Sequence, residues 1–174
     1  MSTLNSRSLP WDVVEKAINK EVKWLETIIE TSPYNKEICK DYIFRRLAIL
    51  IVSGKIKAKD IKSTVYLWGE EKLLPIGKPH GKEWHAKMMN LVHNYFKSLG
   101  YDVVIEPNLN MGRADLGAYR KNERNLFIEI GTVSASKLLF NLESMEESDF
   151  LLIIDEKHAT EFSVLKAGYK YHSV

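Results

Sequence analysis

Apolar residues recur at spacings of three and four through the first part of the chain: Trp11, Val14, Ile18, Val22, Leu25 and Ile29. That is the period of a helix, and Pro10 suits its first turn, where a missing N–H costs nothing. Thr31-Ser32-Pro33 breaks the pattern. A second helix is predicted through Ile38, Tyr42, Leu47 and Leu50 to a stop at Ser53-Gly54, and a short third one after Asp60. Residues 74–81 carry two prolines and two glycines and read as a boundary. The division is then a helical N-terminal region, 1–75, and a second domain, 76–174.

Beyond the boundary the pattern changes. A helix from about Gly81 has Trp84, Met88, Leu91, Tyr95 and Leu99 on its inward stripe and ends at Gly100. Residues 101–107, 112–119 and 125–131 are short and β-like. A helix from about Ser134 to Glu146 follows, with Leu138, Leu139 and Leu142 facing inward. The apolar run 150–155 has the character of a strand buried on both faces. Helix, three strands, helix, strand predicts an α/β fold whose mixed sheet is flanked by helices.

Composition narrows the class. The longest apolar runs, 47–52 and 150–154, fall far short of the ~20 residues that cross a bilayer. The first ten residues lack a basic-then-apolar leader, so an intracellular protein without a membrane partner is expected. Cys39 is the only cysteine, which excludes an internal disulfide and a cysteine-based zinc cluster; it reads as a small buried hydrophobe. The net charge of +2 hides a segregation. From Pro33 to Lys62 eight lysines and arginines face three acids, whereas from Leu138 onward three bases face seven acids. Arg45, Arg46, Lys55, Lys57 and Lys59 are therefore candidate contacts to a polyanion, although a solvated helix face explains such a run equally well.

The informative stretch is 112–131. Arg120-Lys-Asn-Glu-Arg-Asn125 is polar and turn-like, which predicts a hairpin centred near Asn122. Opposed residues of an antiparallel hairpin have position numbers of constant sum. Leu116 then faces Ile128, Gly117 faces Phe127, and Asp115 faces Glu129, with Cβ atoms ~4.5–5.5 Å apart. Two like charges there need a proton or a cation between them, and a hard cation such as Mg2+ takes two or three carboxylates and keeps its waters. Glu83, on the polar stripe of the preceding helix with Lys87, Asn90 and Asn94, is the third candidate ligand. His80 and His85 flank it, and a mixed histidine–carboxylate site is the less favoured option.

These residues, in this order of elements, resemble the PD-(D/E)XK nuclease superfamily, which includes restriction endonucleases, archaeal Holliday-junction resolvases and related repair and mobile-element nucleases. The resemblance covers residues 79–155, with Arg113-Ala114-Asp115 where the family has PD and Glu129-Ile130-Gly131 where it has (D/E)-X-K. It implies a restriction-endonuclease-like sheet and Mg2+-dependent hydrolysis of DNA phosphodiester bonds, with Mn2+ as a substitute. Glu83, Asp115 and Glu129 would be the metal ligands, Asp115 and Glu129 also the catalytic carboxylates. Ala114 departs from the proline and concerns backbone shape alone. Gly131 departs from the lysine, the cation that offsets charge on the phosphate. The hairpin arithmetic sets Arg113 opposite Gly131 and makes it the first substitute; Lys137, early in the next helix, is the second.

Two functions follow from the same residues. One is a metal-dependent nuclease whose helical part supplies phosphate contacts or the contacts of a homodimer. The alternative is an inactive nucleic-acid-binding or assembly protein that keeps a nuclease-like fold.

Overall fold

The computed structural model describes residues 10–29, 40–61, 82–110 and 112–166. Helix α1 (Trp11–Ile29) and helix α2 (Lys40–Val52) precede strand β1 (Ile56–Ile61). Helix α3 (Lys82–Ser98) leads into β2 (Asp102–Ile105), the two-residue strands β3 (Asn108–Leu109) and β4 (Gly112–Arg113), and β5 (Leu116–Tyr119). Strand β6 (Asn125–Ile130), helix α4 (Ala135–Ser144), β7 (Ser148–Ile153) and β8 (Ala159–Val164) complete the described order. Among the described residues no helix is long and apolar enough to cross a membrane.

Six strands form one mixed sheet in the order β1-β8-β7-β6-β5-β2. The predicted hairpin register is observed from Leu116 onward: Leu116 pairs with Ile128, Gly117 with Phe127 and Ala118 with Leu126, while the expected pair of Asp115 with Glu129 is not part of the ladder. Asn122 turns the hairpin with a φ of 65°, a conformation its short polar side chain tolerates. Strands β6 and β7 are parallel, joined through α4, while every other pairing in the sheet is antiparallel.

Helices cover both faces. On one side α1, α2 and α4 pack through Leu25, Phe44, Leu47, Leu138 and Leu142 onto Phe150, Leu152, Phe162 and Val164. On the other, α3 packs onto Leu116, Ile128, Ile130, Leu151 and Ile153. Alternate residues of β6, β7 and β8 thus feed opposite cores, which accounts for the unbroken apolar run of β7.

The inward stripe of α3 is Trp84, Met88, Val92 and Phe96. The predicted stripe drifts off this line after Met88: Leu91 and Tyr95 are half-buried and Leu99 is exposed. A helix lying along the sheet keeps a row of fourfold spacing against it, and Phe96 is the last member of that row. The end is a Schellman motif, with Gly100 at a φ of 85°, its N–H on Lys97 O and the Tyr101 N–H on Phe96 O. The rings of Phe96 and Tyr101 meet edge to face across it at 5.5 Å.

Tyr42, predicted inward on α2, is exposed, and Phe44 takes the buried position. Strands β1 and β8 are additions to the expected order. The segment predicted to enter a helix after Asp60 is strand up to Ile61; the rest of that predicted helix falls outside the described residues, as do Cys39, His80 and the predicted boundary at 74–81.

Candidate functional site

Strand β5 does not run straight past Leu116. The Asp115 N–H donates to Ile128 O, although Ile128 is already the partner of Leu116, so two consecutive residues face one. That is the geometry of a β-bulge, which re-aims a side chain. The Asp115 carboxylate takes over the role of backbone: its Oδ2 accepts the Ile130 N–H at 2.7 Å. Upstream the chain turns off into the β3–β4 pair, where Arg113 faces Asn108. The expectation that Arg113 lies opposite Gly131 is corrected on this ground, because a register extrapolated across a bulge is lost. The Arg113 guanidinium is exposed and bonds Glu106 at 2.8 Å.

Glu129 sits on β6 with 7% of its surface exposed. Lys137 reaches it from α4, Nζ to Oε1 at 2.5 Å. The local sequence sets this up. Ser134 caps α4 and accepts the Lys137 backbone N–H at 3.2 Å, which fixes Lys137 as the third residue of the helix. A cation in a first helical turn opposes the helix dipole, so the lysine draws its stabilisation from the carboxylate. Gly131 has a φ of 91° and donates its N–H to Ile153 O. A side chain there would bring about 1–2 kcal/mol of backbone strain. Across the strand end from Gly131, α4 places the Lys137 ammonium on Glu129.

Helix α3 contributes His85. Trp84 is fully buried and its Nε1 donates to Glu156 at 2.7 Å, pinning the helix start to the turn after β7. Residues 83 and 85 flank it on opposite sides, since positions two apart in a helix do not share a face. The side turned to the sheet carries His85, whose Nε2 lies 3.3 Å from Asp115 Oδ2. Glu83 points outward, with 74% of its side chain exposed, and pairs with Lys87 at 2.9 Å. That hydrogen bond to Lys87 lowers its pKa below the usual glutamate value. Glu83 thus stands apart from the other two acids, a correction to its expected place beside them.

Trp84, His85, Asp115, Glu129, Ile130, Gly131 and Thr132 line one cleft of about 160 Å³. It opens at the carboxyl end of β6, where ligands of α/β sheets gather. Burial raises the Glu129 pKa above its ordinary value; the hydrogen bond from Lys137 opposes this and the charge of Asp115 adds to it. Glu129 Oε2 is buried without a hydrogen-bond partner among the described residues. An orphaned carboxylate oxygen beside a second acid suits a cation. Among the described residues no group of three or more His, Cys, Asp or Glu side chains is placed to hold a metal ion.

The basic segment does not gather round this cleft. Arg45 forks onto both carboxylate oxygens of Glu15 at 2.9 and 2.8 Å, tying α2 to α1. Arg46 bonds Glu143 of α4 at 2.6 Å. Lys55 is exposed just before β1, and Lys57 and Lys59 are exposed on that edge strand. Strand β1 lies three places from β6 in the sheet, ~14 Å at the usual strand spacing. Helix packing that supplied Glu15 and Glu143 as partners explains why the two arginines are engaged within the chain. No protein-family model, no curated protein and no solved structure matches this chain.

Proposed function

We propose that this chain is a metal-dependent phosphodiesterase of the PD-(D/E)XK kind, acting on DNA, the substrate class that the resemblance implies. The observation that carries the reading is the trio at the end of β6: Asp115 and Glu129 in one cleft, with the Lys137 ammonium 2.5 Å from Glu129. The order α3, β2, β5, β6, α4, β7, three antiparallel strands followed by a helix and a parallel strand in a mixed sheet, is compatible with a restriction-endonuclease-like fold and supports the reading.

Asp115 and Glu129 would hold the Mg2+ or Mn2+ ion. When bound, such an ion lowers the pKa of a water and offsets charge on the phosphate. Asp115 is held in place for this by the Ile130 N–H. Lys137 opposes the rise that burial imposes on the Glu129 pKa, and its ammonium would offset charge that develops on the phosphate. The inactive binder remains the second reading, and the outward turn of Glu83, which leaves two carboxylates in the cleft, favours it.

The test is cleavage of linear, branched and single-stranded DNA with Mg2+ or Mn2+. The wild type should cut at least one of them. Asp115→Asn should abolish metal-dependent cutting, and Lys137→Ala should lower kcat by roughly 10²–10³ with a smaller change in substrate binding. No cleavage of any of these substrates by the wild type would decide for the inactive binder.

A further inference from the structure

The two edges of the main sheet differ in character. Strand β1 closes one edge and carries Lys57, Lys59 and Asp60 exposed along its length, the kind of charge that keeps an edge from pairing with another chain. Strand β2 closes the other with a single charge, Asp102 at its start, and then turns apolar: Val104 is 42% and Ile105 61% exposed. Among the described residues no strand pairs with the outer side of β2. The register tells which backbone groups that side presents. Glu106 donates its N–H to Asp115 O and Val104 faces Gly117, so the backbone of residues 102, 104 and 106 is turned to β5. Alternation turns the N–H and C=O groups of Val103 and Ile105 outward.

We infer that β2 is the seam of a two-fold homodimer, in which the strand pairs antiparallel with β2 of a second copy and joins the two sheets. A seam between identical edges must match its outward groups to themselves. Setting Val103 opposite Ile105 of the second copy, and Ile105 opposite its Val103, satisfies the outward N–H and C=O groups of both chains. A shift of one residue sets an outward group against one already turned to β5. A shift of two fails in either direction: it brings Val103 to Pro107, which has no N–H, or Ile105 to Tyr101, whose N–H is spent on Phe96 O. In the remaining register Val104 meets Val104 of the second copy on the two-fold axis, a narrow pair with Cα atoms ~4.5 Å apart. Asp102 comes opposite Glu106 of the second copy. Two acids there need a cation, and Arg113, exposed and bonded to Glu106 at 2.8 Å in each chain, supplies it. The contact lies on the sheet, not on the helical part that the sequence suggested, and it holds whether or not the chain cuts DNA.

The experiment measures the mass of the full chain in solution, by sedimentation or light scattering, over a wide dilution series. The wild type should have the mass of two chains when concentrated and of one when dilute, since a seam this short lies at the small end of stable interfaces. Val104→Lys sets two ammonium groups against each other on the axis and should leave single chains throughout, as should Ile105→Lys. Tyr42→Lys, at an exposed position on α2, should pair as the wild type does. A mild oxidant reads the register. Val104→Cys should form a disulfide with its own copy across the axis, where the Cα separation falls within the ~4.4–6.8 Å that a disulfide spans. Ile105→Cys should not, because its two copies are diagonal neighbours ~7–8 Å apart. The wild type, whose Cys39 is its only cysteine, is the control. Single chains at every concentration in the wild type, a dimer that survives Val104→Lys, or a dimer lost in Tyr42→Lys would each overturn the inference. Cross-linking through position 105 and not through 104 would overturn it as well. The wild-type mass and the Val104→Cys variant, close to valine in volume, decide even if a lysine variant fails to fold.

Discussion

Replacing Lys137 by methionine removes an ammonium from a nearly buried carboxylate while keeping the bulk of the side chain. Glu129 is 7% exposed, its Oε1 is held by Lys137 at 2.5 Å and its Oε2 has no hydrogen-bond partner among the described residues. Breaking a fully buried pair by deleting one partner costs about 3–5 kcal/mol. Here the lysine is 39% exposed, so water already screens the pair and replaces part of what is lost. The expected cost falls to about 1–3 kcal/mol, or roughly 4–8 °C in Tm at its midpoint for a chain of this length. The cost should depend on pH with a definite sign. Burial raises the Glu129 pKa and Lys137 opposes the rise, so the variant's value climbs further. The folded variant then binds a proton more tightly than the unfolded chain. Its stability is complete below the unfolded value of ~4.3 and is lost as pH rises through the folded value. Thermal unfolding with a chelator present, at steps from pH 4 to pH 8, should show a small deficit at the acid end and the full deficit at pH 8. Lys137→Met combined with Glu129→Gln should recover most of it, since the buried charge is gone. A Tm within about 1 °C of wild type at pH 8, a deficit that does not shrink in acid, or no rescue in the double variant would refute the electrostatic account.

Gly131→Ala should destabilise by about 1–2 kcal/mol, because alanine must adopt a φ of 91° there; an unchanged denaturation midpoint would count against the strain argument. Trp84→Phe removes the hydrogen bond to Glu156 and part of a buried ring, and should cost about 2–4 kcal/mol in urea unfolding with an unchanged slope. Arg113→Ala should leave DNA cleavage unaltered, since the guanidinium bonds Glu106 outside the cleft; a kcat drop comparable to that of Lys137→Ala would restore Arg113 to the site.

Local pattern was enough for several features. The helices around Ile18, Phe44 and Met88 follow from apolar spacing and from stops at Gly54 and Gly100, both of which adopt positive φ. The β5–β6 hairpin and its register follow from the polar turn at Asn122, because constant-sum pairing holds wherever a ladder is unbroken. It thereby placed Leu116 against Ile128 and pointed to Asp115 and Glu129 as neighbours. Strands β1 and β8 escaped notice because their six-residue runs, rich in Lys, Asp, Ser and Glu, acquire strand character from pairing with each other and with β7.

Only the tertiary structure decided which other residues join the two carboxylates. A bulge at Asp115 carries no mark in the sequence, yet it sends Arg113 away to Glu106. The rotation of α3 about its axis is set by Trp84 reaching Glu156, a contact across the fold, and that rotation chooses His85 over Glu83. The hairpin arithmetic ranks Arg113 above Lys137; the cap at Ser134 and the return of α4 over β6 bring the lysine to Glu129 instead. Arg45 and Arg46 read as free positive charge until helix packing sets Glu15 and Glu143 beside them. In each case the sequence fixes the chemistry of a side chain and its place along an element, while its partner comes from a distant part of the chain that only the packing of helices on the sheet brings near.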